Sequence, residues 1–406
     1  MQQNNSEMIT IRLKIASGLI LLLLSSLSLC AQVSEIQHDT LIFKGESSNK
    51  GIEEIKKCSN CLWHVELIDY RGDGLEFLRI NDFKTIYSLT IMNSDLSDLN
   101  FLNSDELKEL AIFNSRIDRL DLGRFNGLKK LLLDFEGVNV KSKGKASVSF
   151  KKLQEVALYN LNKEKLFYII DSASKLRILR LDGLQDFDFE DLLGYTALEE
   201  LHLSNVGDIA ICQFPYHSLR ILDISNSSVE HCSGKMIINS NYIENINFYR
   251  VLFSDNEIEL ICEKLTHFSC VYSGVSDVNL AKTPSLKALD LSYNKIKEWG
   301  FMDLIPGGLE CLYIYGNEEY DNLNVQRFKA TLKYASVFTG CDSESEGVNF
   351  RDFPNLKVLF IPEYDFISSC SYLSQFAKDN FVCPLGEPAY ADRDLWLGYK
   401  VSSHYL

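Results

Sequence analysis

One phrase recurs thirteen times along this 406-residue chain, at intervals of 21 to 25 residues, and it leaves few folds open. In its clearest copy, LKALDLSYNKI, the apolar residues are Leu286, Leu289, Leu291 and Ile296, with Asn294 between the last two. Other copies begin at Ile86, Leu107, Leu128, Leu153, Leu176, Leu198, Leu219, Ile243, Leu265, Leu309, Leu332 and Leu356. Each puts apolar residues at positions 1, 4 and 6 of the unit. A unit this short cannot bury its own apolar edge, so it must stack on its neighbours, and stacked units make a solenoid. Positions 3 to 7 read as a short strand, in which 4 and 6 turn to the core while 3, 5 and 7 turn outward.

The phrase resembles that of the leucine-rich repeat family over residues 85–365, and the style is similar to short bacterial secreted or surface repeats; the plant-type LxGxIP signature is absent. The resemblance implies an α/β solenoid, a curved horseshoe with a parallel concave sheet of about 13 short strands and an irregular or short-helical convex side. It also implies a binding protein rather than an enzyme, with a protein ligand expected and a glycan as the alternative. One family feature is scarce. Asparagine at position 9, whose side chain bonds backbone between turns, occurs only as Asn294 and Asn317, whereas Asn93, Asn114, Asn160, Asn205 and Asn226 fall one place earlier. On the convex side, Asn256 to Leu265 is expected as a short helix because Ile258, Ile261 and Leu265 share a helical face.

The chain ends read differently. Arg12 and Lys14 precede an apolar run from Ile15 to Leu24, and a small residue stands at Ala31. That pattern predicts a secretory signal peptide over 1–31, with cleavage after Ala31. The alternative is a lipid anchor at Cys30, although Leu29 is large for a lipoprotein box. The apolar run is shorter than the roughly 20 residues a membrane span needs, and no later stretch is apolar enough. Residues 32–84 are expected to cap one end, with Leu62, Val65 and Leu67 forming a degenerate unit 24 residues before Ile86. Residues 366–406 are expected to cap the other. Location is expected to be secreted or at the cell surface.

Export makes disulfides permissible. Cys212 and Cys232 sit at nearly the same offset in successive units and could bridge; Cys370 and Cys383 could staple the C-terminal cap. Cys58 and Cys61 form a CxxC without a redox or zinc context. Cys270 occupies position 6 and should be an inert core thiol. Formal charge bears on partners: removing Glu7, Arg12 and Lys14 takes −15 to −16. Such an acidic chain has no counterion-release drive toward nucleic acid. No cofactor or metal is expected.

Aligning the units exposes columns on the outward face. Position 5 includes Arg180, His202, Asp223, Asn247, Asp290 and Tyr313; position 7 includes Tyr159, Asp182, Ser204, Tyr249 and Tyr315; position 3 includes Glu155, Glu200, His267 and Tyr334. The middle of the face is polar and mixed in charge. The C-terminal third is aromatic: Tyr313, Tyr315, Tyr334, Phe338 and Phe360, with Tyr249, Tyr272 and Tyr293 leading to it. The expected ligand-binding residues are therefore Tyr249, Tyr293, Tyr313, Tyr315, Tyr334 and Phe338, with Arg180, His202 and Asp223 at the polar centre. The competing reading is that the rings pack on each other or under the C-terminal cap.

Other motifs carry less. Ser204, His202 and Asp223 lie on adjacent columns, but nothing supplies a strained nucleophile turn or an oxyanion hole. A hydrolase on this scaffold is thus an alternative only in name, and a self-associating architectural envelope protein is the other. His202 and His267 are three units apart, too far to share a metal. Arg71, Gly72 and Asp73 spell an integrin-type tripeptide at a turn. The cluster Asp186, Asp188, Glu190 and Asp191 alternates with Phe187 and Phe189, which suits inward phenylalanines better than a calcium loop. Cys341 lacks the large helical domain that accompanies a ligase cysteine in leucine-rich-repeat effectors.

Overall fold

The computed structural model describes residues 38–44, 62–70, 86–99, 102, 106–140, 150–185, 187–211, 218–231, 235–305, 308–317, 323–336, 353–362 and 381–385. The leader, Cys30, Cys58, Cys61, the Arg71–Asp73 tripeptide, Asp186, Cys212, Cys232, Phe338, Cys341 and Cys370 lie outside them, and of Phe360 and Cys383 only the backbone path is described. The chain divides into Gln37–Leu359 and a second unit made of Met1–Ile36 and Phe360–Leu406, whose described strand is Phe381–Leu385.

In the larger unit, the strands fall where alternation puts them. Glu109–Phe113, Lys130–Asp134, Glu155–Tyr159, Ile178–Asp182, Glu200–Ser204, Ile221–Ser225, Asn245–Tyr249 and His267–Val271 each occupy positions 3 to 7. Fourteen strands, from His38–Lys44 to Tyr334–Ser336, pair in parallel in chain order. The first two, His38–Lys44 and Leu62–Ile68, extend the repeat into the segment read as a cap. Their starts are spaced 24 residues apart and 24 residues before Ile86, so the period persists where the apolar phrase has decayed. Positions 1, 4 and 6 are buried throughout, as in Leu107, Leu110 and Ile112. Each covered leucine or isoleucine stabilises the stack by about 1.5–3 kcal/mol.

In every described coil but that of Phe135, where Gly137 at φ 85° takes over, the residue at position 8 turns the chain out of the sheet in the left-handed region. Asp69, Asn93, Asn114, Asn160, Gly183, Asn205, Asn226, Arg250, Tyr272, Tyr293 and Gly316 all have φ between 42° and 78°. Asparagine is scarce at position 9 because it is needed at position 8, where only glycine, asparagine and aspartate enter that region cheaply. The backbone N–H at this position is not wasted: those of Asn93, Asn160, Asn205, Asn226 and Arg250 donate to the strand-end carbonyl of the next coil.

Position 9 then carries the inter-coil bond, usually through serine. The Oγ atoms of Ser94, Ser115, Ser227 and Ser273 accept from the N–H groups of Tyr70, Ser94, Val206 and Val251, at 3.0 to 3.2 Å. Each hydroxyl in turn donates to the carbonyl two residues before it. Asn294 accepts from the N–H groups of Ser273 and Val275 and donates to the carbonyls of Cys270, Leu291 and Ser292. Serine thus performs a shorter version of the asparagine's task. In these four coils the family feature is substituted, whereas Leu161, Leu184, Val206 and Val251 leave the position apolar.

Between successive strands of the main sheet the chain carries short helical turns such as Lys163–Ile170 and Phe189–Leu192, as expected, together with three small parallel sheets of four, three and three strands. Asn256 to Leu265 contains the strand Glu257–Ile261, paired with Met236–Asn239 and Asp277–Lys282, and not a helix. Ile258, Leu260 and Cys262 are buried, a period of two that the run satisfies as well as the helical one. Ready-made strand partners on both sides decide between the two. Among the described residues the α-helix is Lys163–Ile170, capped by Asn162, whose Oδ1 accepts from Lys165 N–H, and seated on Leu166, Ile169 and Ile170. Phe187 and Phe189 are buried as expected, while Asp188 and Asp191 form a capping box for the turn Phe189–Leu192.

Candidate binding face of the main sheet

The register aligns the outward columns across neighbouring strands, so side chains at position 5 stand in a row: Arg180 beside His202, His202 beside Asp223, Asp223 beside Asn247. These groups are not left open to solvent. Lys130 Nζ lies 3.0 Å from Glu155, Arg180 lies 2.8 Å from Glu155 and 3.6 Å from Glu200, and Asn247 donates to Asp223 at 3.0 Å. His202 is only 6% exposed and Asp223 only 5%. The centre of the face is a tape of alternating charges that satisfy one another.

His202 is its pivot. Nδ1 lies 3.4 Å from Asp223 Oδ2 and Nε2 lies 3.5 Å from Glu200 Oε2. Burial pulls the imidazole's pKa down and is the largest influence, but the hydrogen bonds to Asp223 and Glu200 together outweigh it, and the net shift is upward. The bond from His202 correspondingly holds Glu200 below the usual carboxylate range, against the opposing effect of burial. Both ring nitrogens therefore face carboxylates. Neither is aimed at Ser204, whose hydroxyl accepts from Asn205 Nδ2 at 3.2 Å. The three residues share a neighbourhood without forming a nucleophile, base and orienter.

Away from the centre the columns carry rings. Tyr159 lies against Phe113 with centroids 6.0 Å apart, and burial pushes its phenol up to about 12. Asp182, beside it, is raised by burial, an effect the hydrogen bond from Asn205 only partly offsets. In the C-terminal coils, Tyr249, Tyr272, Tyr293 and Tyr315 are all half-buried and make an unbroken row. Tyr249 and Tyr272 meet edge-to-face at 6.1 Å, Tyr272 and Tyr293 stack at 4.2 Å, and Tyr293 and Tyr315 meet edge-to-face at 5.3 Å. The guanidinium of Arg250 lies over Tyr249 at 5.2 Å and near Tyr272 at 5.7 Å. Gly316 makes room for the row, since a Cβ there would fall 2.6 Å from Tyr293 Cδ1.

The expected site residues thus separate. Tyr249, Tyr293 and Tyr315 are brought together. Tyr334 is half-buried at the start of its strand. Tyr313, expected on the open column, is a correction: it is 2% exposed and lies among the largest buried side chains. It sits in register between Asp290 and Ser336, and Ser292 and Ser336 on the same columns are fully covered. A ring of that area gains more from being covered than from facing water. Here packing displaces the ligand-facing role. Arg250 was missed. Its signal was legible: position 8 carries asparagine, aspartate or glycine in most coils, and arginine or tyrosine in three successive ones. Among the thiols, Cys262, Cys270 and Cys311 are free and buried, with burial pushing Cys270 up to about 12. Among the described residues no group of His, Cys, Asp and Glu is placed to hold a metal, and no helix is long and apolar enough to cross a membrane, which leaves a strand-built membrane barrel unaddressed.

No known protein-family profile matches the sequence. A leucine-rich repeat protein of Leptospira interrogans is similar in structure, with a TM-score of 0.52 over 83% of this chain and 92% of its own, at 15% sequence identity. A Roc-COR-CHAT protease from an unknown prokaryotic organism is 27% identical over 194 residues. That match spans 45% of this chain and 18% of the protease's length. The fold is that of a leucine-rich repeat protein.

Proposed function

We propose that the chain is an exported binding protein that receives a protein ligand on the outward face of its main sheet, with the tyrosine row as the principal anchor. The observation that carries this reading is the half-exposed row of Tyr249, Tyr272, Tyr293 and Tyr315, held in one geometry by four successive coils. Tyrosine offers wide contact area at a small entropic cost, and interface energy concentrates in such anchors. Fourteen strands in register keep the surface preformed, which limits what is lost on association. The central tape plays a different part. Its charges are already paired, so a ligand that breaks them meets a desolvation cost, and the tape serves to reject mismatched partners.

The proteolytic activity of the partial relative is not carried over, because the match spans only 18% of that protein's length. Export rests on the leader-like segment 1–31 and is tested by the N-terminal mass of protein recovered outside the cell. The binding reading is tested by crosslinked capture from envelope and host-surface extracts, comparing the native chain with a Tyr249→Ala, Tyr293→Ala, Tyr315→Ala variant of matched thermal stability. A partner held by the first and lost by the second supports it. Equal capture by both sinks it.

A further inference from the structure

The position-8 residues of three successive coils depart from the asparagine, aspartate or glycine that most other described coils carry there. Arg250, Tyr272 and Tyr293 adopt φ of 53°, 55° and 56°, where neighbouring coils use asparagine, aspartate or glycine. Side chains of this size are disfavoured there, and backbone held in sparsely populated regions gathers at functional sites. What the unfavourable conformations secure is visible. They place four tyrosines and an arginine in one strip, with Gly316 vacated beneath Tyr293.

The strip has a repeat of its own. Tyr249 with Tyr272, and Tyr293 with Tyr315, make two near-perpendicular corners, at interplanar angles of 87° and 88°. Between them Tyr272 and Tyr293 lie nearly parallel, at 11°. The corners are two coils apart, which at a strand spacing of about 4.8 Å is about 9.6 Å. One turn of a polyproline II helix, three residues at about 3.1 Å each, advances about 9.3 Å. A ligand in that conformation presents one ridge to each corner without strain.

The geometry points to a proline-rich segment in polyproline II conformation as the ligand of this strip, with one pyrrolidine ring in each corner. Such a segment has no internal hydrogen bonds, and its stiffness keeps the ordering cost low. Arg250 sets the polarity. It is exposed, lies 5.2 Å from the ring centroid of Tyr249 and 5.7 Å from that of Tyr272, and forms no ion pair among the described residues, in a chain of net charge −15. A carboxylate on the ligand flank beside the first corner completes it. A sugar would stack flat on an open ring face, and Tyr272 and Tyr293 each give a face to the other.

This inference rests on the binding reading, and its test separates the two. The full chain is titrated with fluorescein-labelled decaproline, with decaproline ending in glutamate, and with a glycine–serine peptide of equal length. The variant is Tyr272→Asn with Tyr293→Asn, which installs the residue that other coils carry in the same backbone conformation and so keeps the fold. Decaproline is expected to bind the native chain and the glycine–serine peptide is not. The double variant is expected to lose about tenfold or more in affinity. Arg250→Asn should weaken only the glutamate-ended peptide. Absence of decaproline binding at millimolar concentration, or equal binding by the double variant, overturns the inference. If decaproline fails while a captured protein partner still depends on the tyrosines, the binding reading stands and the polyproline ligand falls.

Discussion

The coils up to Asn226 and the coils from Arg250 onward solve the same turn with different residues. The earlier set enters the left-handed region with Asp69, Asn93, Asn114, Asn160, Gly183, Asn205 and Asn226, which is inexpensive, and links side chains along the row: Asn114 donates to Asn93, Asn160 to Asp134 and Asn205 to Asp182. The later set uses Arg250, Tyr272 and Tyr293 and links them by stacked rings. The earlier row is built for stability alone. The later one accepts local strain and recovers part of it through ring contacts worth about 0.5–1.5 kcal/mol each. A selective use of the expensive residues in adjacent coils is the observation that motivates the proposed binding role of this stretch.

The sharpest way to break this contrast is through the residue that follows. Asn294 serves five backbone groups, whereas Ser227 serves two. Asn294→Ala should cost about 3–5 kcal/mol, because several buried N–H and C=O groups lose their partners at once. Ser227→Ala, which orphans one buried N–H, should cost about 1–3 kcal/mol. Urea unfolding of both variants gives the comparison directly. Equal losses would mean that serine and asparagine coils are equivalent, and that the later half needs no stronger clamp.

Gly316→Ala comes next. The added methyl would have to displace Tyr293 Cδ1 from 2.6 Å, and the backbone there is at φ 78°. A loss of about 1–3 kcal/mol is expected, together with a changed near-ultraviolet dichroism from the displaced ring. Gly183→Ala, at φ 77° but with no atom closer than 3.6 Å, should suffer the backbone cost alone. If the two variants lose the same amount, the ring row is not held by Gly316.

Much of this was legible in the chain. Positions 3 to 7 marked the strands from Glu109 to Val271 to the residue, because one buried face forces period-two alternation. The outward columns were equally readable, and so was the inert Cys270. What stayed hidden depended on relations between coils. Tyr313 on column 5 and Tyr249 on column 7 both face outward in the linear alignment, yet one is covered and the other is half-open. The strand at Glu257–Ile261 has an apolar pattern that fits both periods, and only its neighbours decide. Asparagine at position 8 marks in the sequence a change in the turn after the strand, but the left-handed conformation it adopts there is visible only in the backbone.

The central tape differs from the strip in being built around a histidine, the side chain whose charge changes near neutral pH. The folded-state pKa of His202 is raised above its ordinary value by Asp223 and Glu200. A raised histidine stabilises the fold fully below its unfolded pKa, and that contribution disappears as pH climbs through the folded value. The urea midpoint of the native chain should therefore fall between about pH 6 and pH 8.5, by more than it does in His202→Gln. Parallel curves for the two proteins would show that the tape holds His202 neutral and that its carboxylates are balanced by Arg180 and Lys130 alone.

The smallest effect is expected at the other end of the strands, where position 2 carries exposed pairs. Arg177 grips Glu199 and Arg220 grips Glu244 through paired contacts of 2.6 to 3.0 Å. The hydrogen bonds raise both guanidiniums and lower both carboxylates, a direction that would suggest appreciable stabilisation. Exposure argues otherwise, because water and salt screen a pair whose arginine is more than half accessible. Arg220→Met should change stability by less than about 1 kcal/mol, and less again in high salt. A larger loss, persisting in salt, would mean that the position-2 rim helps fix the register of the sheet, and that the difference between the earlier and later coils is not confined to their turns.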